Sequence, residues 1–556
     1  MKRFATLALS AGLAAAFSIS CVREALPLNS YPTSEQVAAS GSGLAALANG
    51  IPAIMVKHFC GNHGSSTSDF DFSYPSLMIS LDTAAGELVI CGSAYYDWFM
   101  YWGNTNSIID ETTNRSYVPW STLYQYVLSA NNIIGVIDAG TARGMEKAYL
   151  GAAYAFRAFA YLYLVRIYEF KQPSDPSVSS SYKLQNQEVL TRHLTVPIVT
   201  ESTTEKELIN NPRAPREDVY ALILSDLDKA EALLGDTDPG SRTLPDISVV
   251  YGLKARTYLE LGSQGADGAF ESAANYAKKS REAFSGNPLT QEQWESPSNG
   301  FNSYTANSNS WMWYVSVAKE DVYSNANFVS HMSTEQNWNE YGFQTCRGIN
   351  RNLYETIPDT DFRKHSWIDP GRKSYYAYKT NHDIDSPDEK KYYIANYANL
   401  KFRPAGGEIK TCTEGGASSI PVMRMEEMYL IEAEALAMSG RLGEGRQVLD
   451  ELVTTRDPSY SSAVLTSDAL SFQKEVFRQK RIEFWGEGLV FFDFKRLEAG
   501  ISRGYSGTNA PEGYRFNVSG TAPRWNWCIP TSELNNNPAI QGMNNPSPDK
   551  SLQEWN

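Results

Sequence analysis

The run EVFRQKRIEFWGEGLVFFDFKR, Glu475 to Arg496, crowds more aromatic rings and opposite charges together than any other part of the chain. At about 100° per residue, Phe477, Ile482, Trp485, Leu489 and Phe492 fall on or near one side of a helix. Arg478, Arg481, Glu483 and Glu487 stand at three- and four-residue spacings, where side chains on a helix meet as ion pairs. The pattern reads as an amphipathic helix with a solvated charged edge. Gly486 and Gly488 interrupt it, each costing roughly 1 kcal/mol against Ala in a helix interior. A break is expected there, followed by a second short helix through Asp493 and Arg496.

Helical periodicity continues outward from this run. Upstream, RMEEMYLIEAEALAMSGRLGEGRQVLDELVTTR reads as a helix, a turn near Gly440 and a second helix. Ser121–Asp138 and Met145–Phe170 read as an antiparallel pair, the second Ala-rich and apolar on most sides, as an inner helix must be. NPRAPR leads into a helix ending at Leu234, with Pro215 suited to its first turn and Glu217 and Asp218 to its positive end. Ile247–Gly262 and Ala269–Phe284 add two more. Two helices in every roughly 35 to 40 residues is the period of tetratricopeptide-like pairs. The expected class is therefore mainly α: such pairs forming a scaffold, with a long irregular, loop-rich insertion.

The spacing Lys480-Arg481, Glu483-Phe484, Glu487-Gly488, Asp493 and Arg496 resembles the C-terminal signature of the SusD/RagB family, surface lipoproteins that capture nutrients beside a TonB-dependent transporter. Val490 stands where the family often has Arg. PRAPREDVYALILSDLDKAEALL and VVYGLKARTYLELG resemble family helices, and IPTSELNNNP, Ile529 to Pro538, resembles the closing motif, its Asn and Pro content favouring an ordered loop. The resemblance implies a SusD-like fold without catalysis. It also implies an oligosaccharide ligand, or a peptide as in the RagB branch, and a SusC-like TonB-dependent outer-membrane transporter as partner. A ligand site built from the irregular region together with the loop near Trp98 follows from the same resemblance.

The first residues agree. Lys2 and Arg3 precede an apolar run from Leu7 to Phe17, and Ser18-Ile19-Ser20 leads into Cys21, the form of a bacterial lipobox and too short for a membrane span. Residues 1–20 are read as signal peptide, with Cys21 the lipidated residue and 21–43 a flexible tether; the family resemblance implies an outer-membrane location facing the exterior. The remaining partition is an N-terminal helical-repeat part (44–287), the irregular insertion (288–420), C-terminal helix pairs (421–500) and a C-terminal loop region (501–556). A formal net charge of −14 argues against nonspecific nucleic-acid binding, which needs clustered Lys and Arg. Beyond Cys21, Cys60, Cys91, Cys346, Cys412 and Cys528 are too sparse for a stapled framework, although one or two disulfides are permitted.

Candidate ligand-binding residues come from aromatic crowding. SAYYDWFMYWGN sets Tyr95, Tyr96, Trp98, Tyr101 and Trp102 beside Asp97 and Asn104, and no single period buries all five rings. Rings can cover the apolar face of a pyranose while amides and carboxylates take its hydroxyls. In the insertion, WMWYV would place Trp311 and Trp313 on one side of a strand, followed by Tyr314, with Trp338 further on. Trp311, Trp313 and Trp98 are all expected to be exposed; a repeat adaptor without a small ligand would expose no such cluster.

Neither a metal nor any other cofactor is expected. His58, Cys60 and His63 in HFCGNH lack a fourth zinc ligand, and Asp69 and Asp71 lack the calcium-loop pattern. A glycoside hydrolase is the rival class, because Glu483 and Glu487 stand one helical turn apart. Arginines among them would lower their pKa, where a general acid needs it raised.

Overall fold

A computed structural model describes residues 40–58, 69–90, 97–100, 110–175, 182–296, 301, 309–371 and 395–547. The signal sequence, Cys21, Cys60, His63 and Cys91 lie outside the described residues. The longer helices begin with α1 (Gly41–Met55), α2 (Tyr74–Ala85), α3 (Asn114–Ile134), α4 (Met145–Tyr168) and α5 (Arg216–Leu234). They continue with α6 (Ile247–Ser263), α7 (Ala269–Phe284), α8 (Met425–Met438), α9 (Leu442–Val453), α10 (Ala469–Glu483) and α11 (Val490–Leu497). Thus α1 begins inside the stretch read as tether, and Pro215 precedes α5 instead of entering its first turn.

These helices pack as successive pairs: α3 on α4, α4 on α5, α6 on α7, α7 on α8, and α8 on both α9 and α10. At the centre lies α4, long and apolar enough to cross a membrane but buried within the fold. Its alanines at 148, 152, 153, 155, 158 and 160 let neighbours approach closely. A Cβ at Gly151 would sit 2.7 Å from Leu234 Cγ on α5, so that crossing requires glycine. Outer helices show the complementary pattern: α7 turns Ala273, Ala274, Ala277 and Ser280 inward and its Lys and Glu outward.

The helix break falls at the two glycines. The side chain of Asp468 caps α10, which ends at Glu483, and α11 starts at Val490. Gly486 (φ +81°) and Gly488 (φ +72°) take the left-handed conformation that side chains resist. The turn docks on α2, where Asp82 Oδ2 accepts the Gly488 N–H at 3.0 Å.

The charged edge is not solvated. Glu483 receives Arg363 Nη1 at 3.0 Å, Arg424 Nη1 at 3.1 Å and Arg456 Nη2 at 3.1 Å, all fully buried. Glu487 receives Lys401 Nζ at 2.7 Å and Arg424 Nε at 2.9 Å. Glu434 of α8 and Asp493 of α11 share Lys480 and Arg496 at 2.6–2.9 Å. Val490 is buried, and Asp493 takes its cations from Lys480 and Arg496. The expected pairing among Arg478, Arg481, Glu483 and Glu487 gives way to partners elsewhere: Arg478 pairs with Glu475, and Arg481 with Glu87.

Among the described residues, three small antiparallel ladders tie loops to this scaffold. Strand β1 (Leu88–Ile90) pairs with β3 (Arg347–Ile349), β2 (Trp311–Ser316) with β4 (Ser419–Arg424), and β5 (Ile501–Ser502) with β6 (Asn517–Val518). The register of β2 slips between Trp311 and Trp313 and again before Tyr314, so strict alternation fails. Both tryptophans are 0 % exposed. Trp313 packs edge-on against Phe159 of α4 at 4.9 Å and donates its Nε1–H to Thr243 O at 3.1 Å; Trp311 lies 6.1 Å from Phe301. The expectation that these two rings form an exposed platform is therefore corrected. Pairing with β4, which runs directly into α8, carries β2 into the core.

Candidate functional site

Trp98 is 42 % exposed, with its ring edge-on to Phe70 at 5.6 Å. The residue before it is the opposite: Asp97 is completely buried. Its carboxylate accepts Arg347 Nη1 at 2.7 Å and Nη2 at 2.9 Å, the Thr345 hydroxyl at 2.5 Å and the Met100 N–H at 3.2 Å. Burial alone would raise this carboxyl, but the Arg347 guanidinium outweighs it and holds Asp97 below the usual carboxylate range. The carboxylate, singled out in sequence for ligand hydroxyls, is thus occupied by protein partners and anchors the backbone next to Trp98. Arg347 begins β3, opposite Ile90 of β1, so the residue that pairs with Asp97 is itself held in a strand ladder.

Beneath this anchor, His331 is sandwiched between Tyr341 at 4.5 Å and Phe72 at 5.4 Å. Its Nε2–H donates to Asp69 O at 3.0 Å, and Nδ1 faces Arg347 Nη2 at 3.3 Å. Burial and then the neighbouring Arg347 push its pKa down to about 4, so the ring is neutral. The Tyr341 hydroxyl donates to the Asp69 carboxylate at 2.5 Å, and burial raises that carboxyl. Asp69 is thus part of the supporting layer.

The same segment brings up further rings. Trp338 is half-buried and donates its Nε1–H to Ser330 Oγ at 2.8 Å, while Asn339 Nδ2 donates to Ser324 O at 3.1 Å. Next to Ser324, Tyr323 is 43 % exposed, its ring 5.9 Å from that of His58. The His58 Nε2–H donates to Ala326 O at 2.7 Å. Indole and phenol faces are thus held by a rigid, hydrogen-bonded base. Such a surface suits the flat, mixed apolar and hydroxylated faces of sugars.

Of the residues singled out in sequence, Trp98 is exposed and Trp338 half-buried, while Asp97 is buried. Tyr314 is half-buried beside Trp311 at 6.1 Å. Tyr95, Tyr96, Tyr101, Trp102 and Asn104 lie outside the described residues. The sequence reading passed over Tyr323 and Arg347. Tyr323 sits in KEDVYSNANF, a turn-rich context like that around Trp98, and the same argument would have found it.

Among the described residues no group of three His, Cys, Asp or Glu is placed to hold a metal. Among the described residues, Cys412 and Cys528 form no disulfide, and Cys346 and Cys528 are buried. Despite burial, which alone would raise it, Glu483 is held far below the carboxylate range by Arg456, Arg424 and Arg363. It cannot serve as a general acid near neutral pH.

A family model described as starch-binding, associating with the outer membrane, matches residues 81–259. The SusD family model matches residues 257–547. A SusD-like protein of Formosa agariphila is 22 % identical over 424 residues, 71 % of this chain and 75 % of its own. The crystal structure of a SusD-like carbohydrate-binding protein from Bacteroides vulgatus superposes with a TM-score of 0.67 at 20 % identity, covering 90 % of this chain and 97 % of that one. For a SusD superfamily protein of Bacteroides thetaiotaomicron the TM-score is 0.64 at 17 % identity, with 91 % and 99 % covered. With more than half of its residues matched by one family model, and an architecture shared with solved members over nine-tenths of its length, the chain belongs to the SusD family.

Proposed function

We propose that the protein holds oligosaccharides on the aromatic surface formed by Trp98, Tyr323 and Trp338. As a SusD family member it is a non-catalytic, glycan-binding lipoprotein of the outer membrane, facing outward and partnered with a SusC-like TonB-dependent transporter. What supports placing the ligand here is one contrast: Trp98 is exposed while the residue holding it, Asp97, is locked by a buried bidentate ion pair. A large apolar ring kept rigidly in water is preorganised, so binding a sugar face costs little ordering entropy. Each stacked ring contributes modestly, and several rings along one saccharide chain add up. Calorimetry with a panel of purified polysaccharides tests this. Trp98→Ala should weaken binding of the recognised glycan about tenfold or more, roughly 1.4 kcal/mol, without lowering the melting temperature; unchanged affinity would remove Trp98 from the site.

A further inference from the structure

A cavity of about 470 Å³ opens between the N-terminal half of α3, the segment preceding α5 and Thr531–Asn536, which forms a short helix where the sequence favoured a loop. That is within the range of small-molecule sites. Trp120 forms part of its lining, fixed edge-on against Tyr168 at 4.9 Å and tilted against Tyr124 at 4.8 Å. Tyr117 and Tyr124, both half-buried, add two phenol rings.

The wall also carries an unfinished polar group. Asn537 is 2 % exposed, and its Nδ2 donates to Asn211 O at 2.7 Å and Glu533 Oε1 at 3.2 Å, which fixes the amide. Its Oδ1 then accepts no hydrogen bond among the described residues. A buried acceptor left in this state costs about 1–3 kcal/mol, and Asn537 belongs to the cavity's lining.

The chemistry of the lining selects the guest. Glu533 is the one charged side chain among the lining residues and no cation faces it, which disfavours anions. No strand edge lines the cavity, so a peptide would find no backbone ladder. Three aromatic rings with side-chain amides and serine hydroxyls fit a neutral polyhydroxylated ring. Gln125 also lines a neighbouring groove of about 610 Å³ between α1 and α3, which reaches His58 and so adjoins Tyr323. A track along α3 thus leads from this cavity towards Tyr323.

We propose that this cavity is a second saccharide-binding site, taking a terminal or branch sugar unit by contact with Tyr117, Trp120 and Tyr124 and by hydrogen bonds to the lining amides of Gln125, Asn211 and Asn536. The guest class rests on the glycan-binding reading of the protein; the site itself does not depend on Trp98. The test uses the mature protein labelled with 5-fluorotryptophan, the Trp98 and Trp120 resonances being assigned with Trp98→Phe and Trp120→Phe. Glucose, galactose, xylose and N-acetylglucosamine are the probes, with a neutral alanine–asparagine peptide alongside. At least one sugar should shift the Trp120 resonance saturably. Ser121→Phe, which fills the cavity from a half-buried position on α3, should weaken that response at least tenfold and spare the Trp98 response. A silent Trp120 beside a responding Trp98 overturns the second site alone. So does a Trp120 response given only by the peptide, or one that persists in Ser121→Phe. A Trp120 response that Ser121→Phe suppresses, beside a silent Trp98, supports this site and counts against the Trp98 surface; silence at both overturns both.

Discussion

Aromatic crowding in a sequence does not reveal which rings reach water. Trp98 and Trp311 were read by the same reasoning, yet one stands 42 % exposed and the other is sealed. The deciding contacts are distant in sequence: Arg347 for the loop of Trp98, and β4 for the strand of Trp311. The two should therefore fail differently when truncated. Trp311→Ala should cost about 3–5 kcal/mol of stability through an unfilled cavity, read as a lower urea midpoint, whereas Trp98→Ala should leave that midpoint in place. Two buried titratable groups give a second prediction. Burial pushes Asp82 up to about 7, against the Gly488 N–H that favours the anion. The folded protein then holds a proton that the unfolded chain, with a carboxyl near 3.8, releases. This contribution is full below about 3.8 and is lost as pH rises through 7. His331 runs the other way, its contribution full above 6.5 and lost as pH falls through about 4. Between about 6.5 and 4 the two slopes oppose each other. Asp82→Asn should remove one and leave a variant that loses stability more steeply on acidification across that window; parallel urea-midpoint profiles for variant and parent would refute the assignment.

At the level of elements, the two glycines marked the break between α10 and α11 because the cost of glycine is local and needs no partner. The charged edge was misplaced for the converse reason. A helical wheel shows that Glu483 and Glu487 share a side, but not that Arg363, Lys401, Arg424 and Arg456 arrive there from other segments to replace water. Removing one member strands the rest: Glu483→Gln should destabilise by about 3–5 kcal/mol, because buried guanidiniums are left uncompensated. Urea denaturation measures the loss, and a change below about 1 kcal/mol would mean the ions find water or another partner. The turn itself can be probed by steric contrast. At Gly488 an added Cβ would lie 2.6 Å from Met78 Cα, whereas at Gly265 (φ +86°) nothing lies within 4 Å. Gly265→Ala should cost only the backbone strain, about 1–3 kcal/mol, and Gly488→Ala clearly more, since the backbone of α2 must move.

For the molecule as a whole, paired helices were legible because their periodicity repeats along the chain, while the proposed ligand surface was not, since its rings come from segments far apart in sequence: Phe70, Trp98, Tyr323 and Trp338. That arrangement makes ligand length the informative variable. If one saccharide chain spans several rings, each added unit up to the span should increase affinity, and further units should add nothing. Tyr323→Ala should then lower affinity for long oligomers and leave short ones that rest on Trp98 unchanged, while Trp98→Ala should weaken the whole series. Calorimetry over a length series of the recognised glycan reads this directly, with variant melting temperatures as the control. Since binding to the folded state alone stabilises by RT ln(1 + [L]/Kd), about 2.7 kcal/mol at a hundredfold excess over Kd, saturating long oligomers should raise the melting temperature more than short ones at equal concentration. Affinity that does not vary with length, in parent and both variants alike, would mean a single ring or a closed pocket carries the binding, and the extended surface would be excluded as the platform.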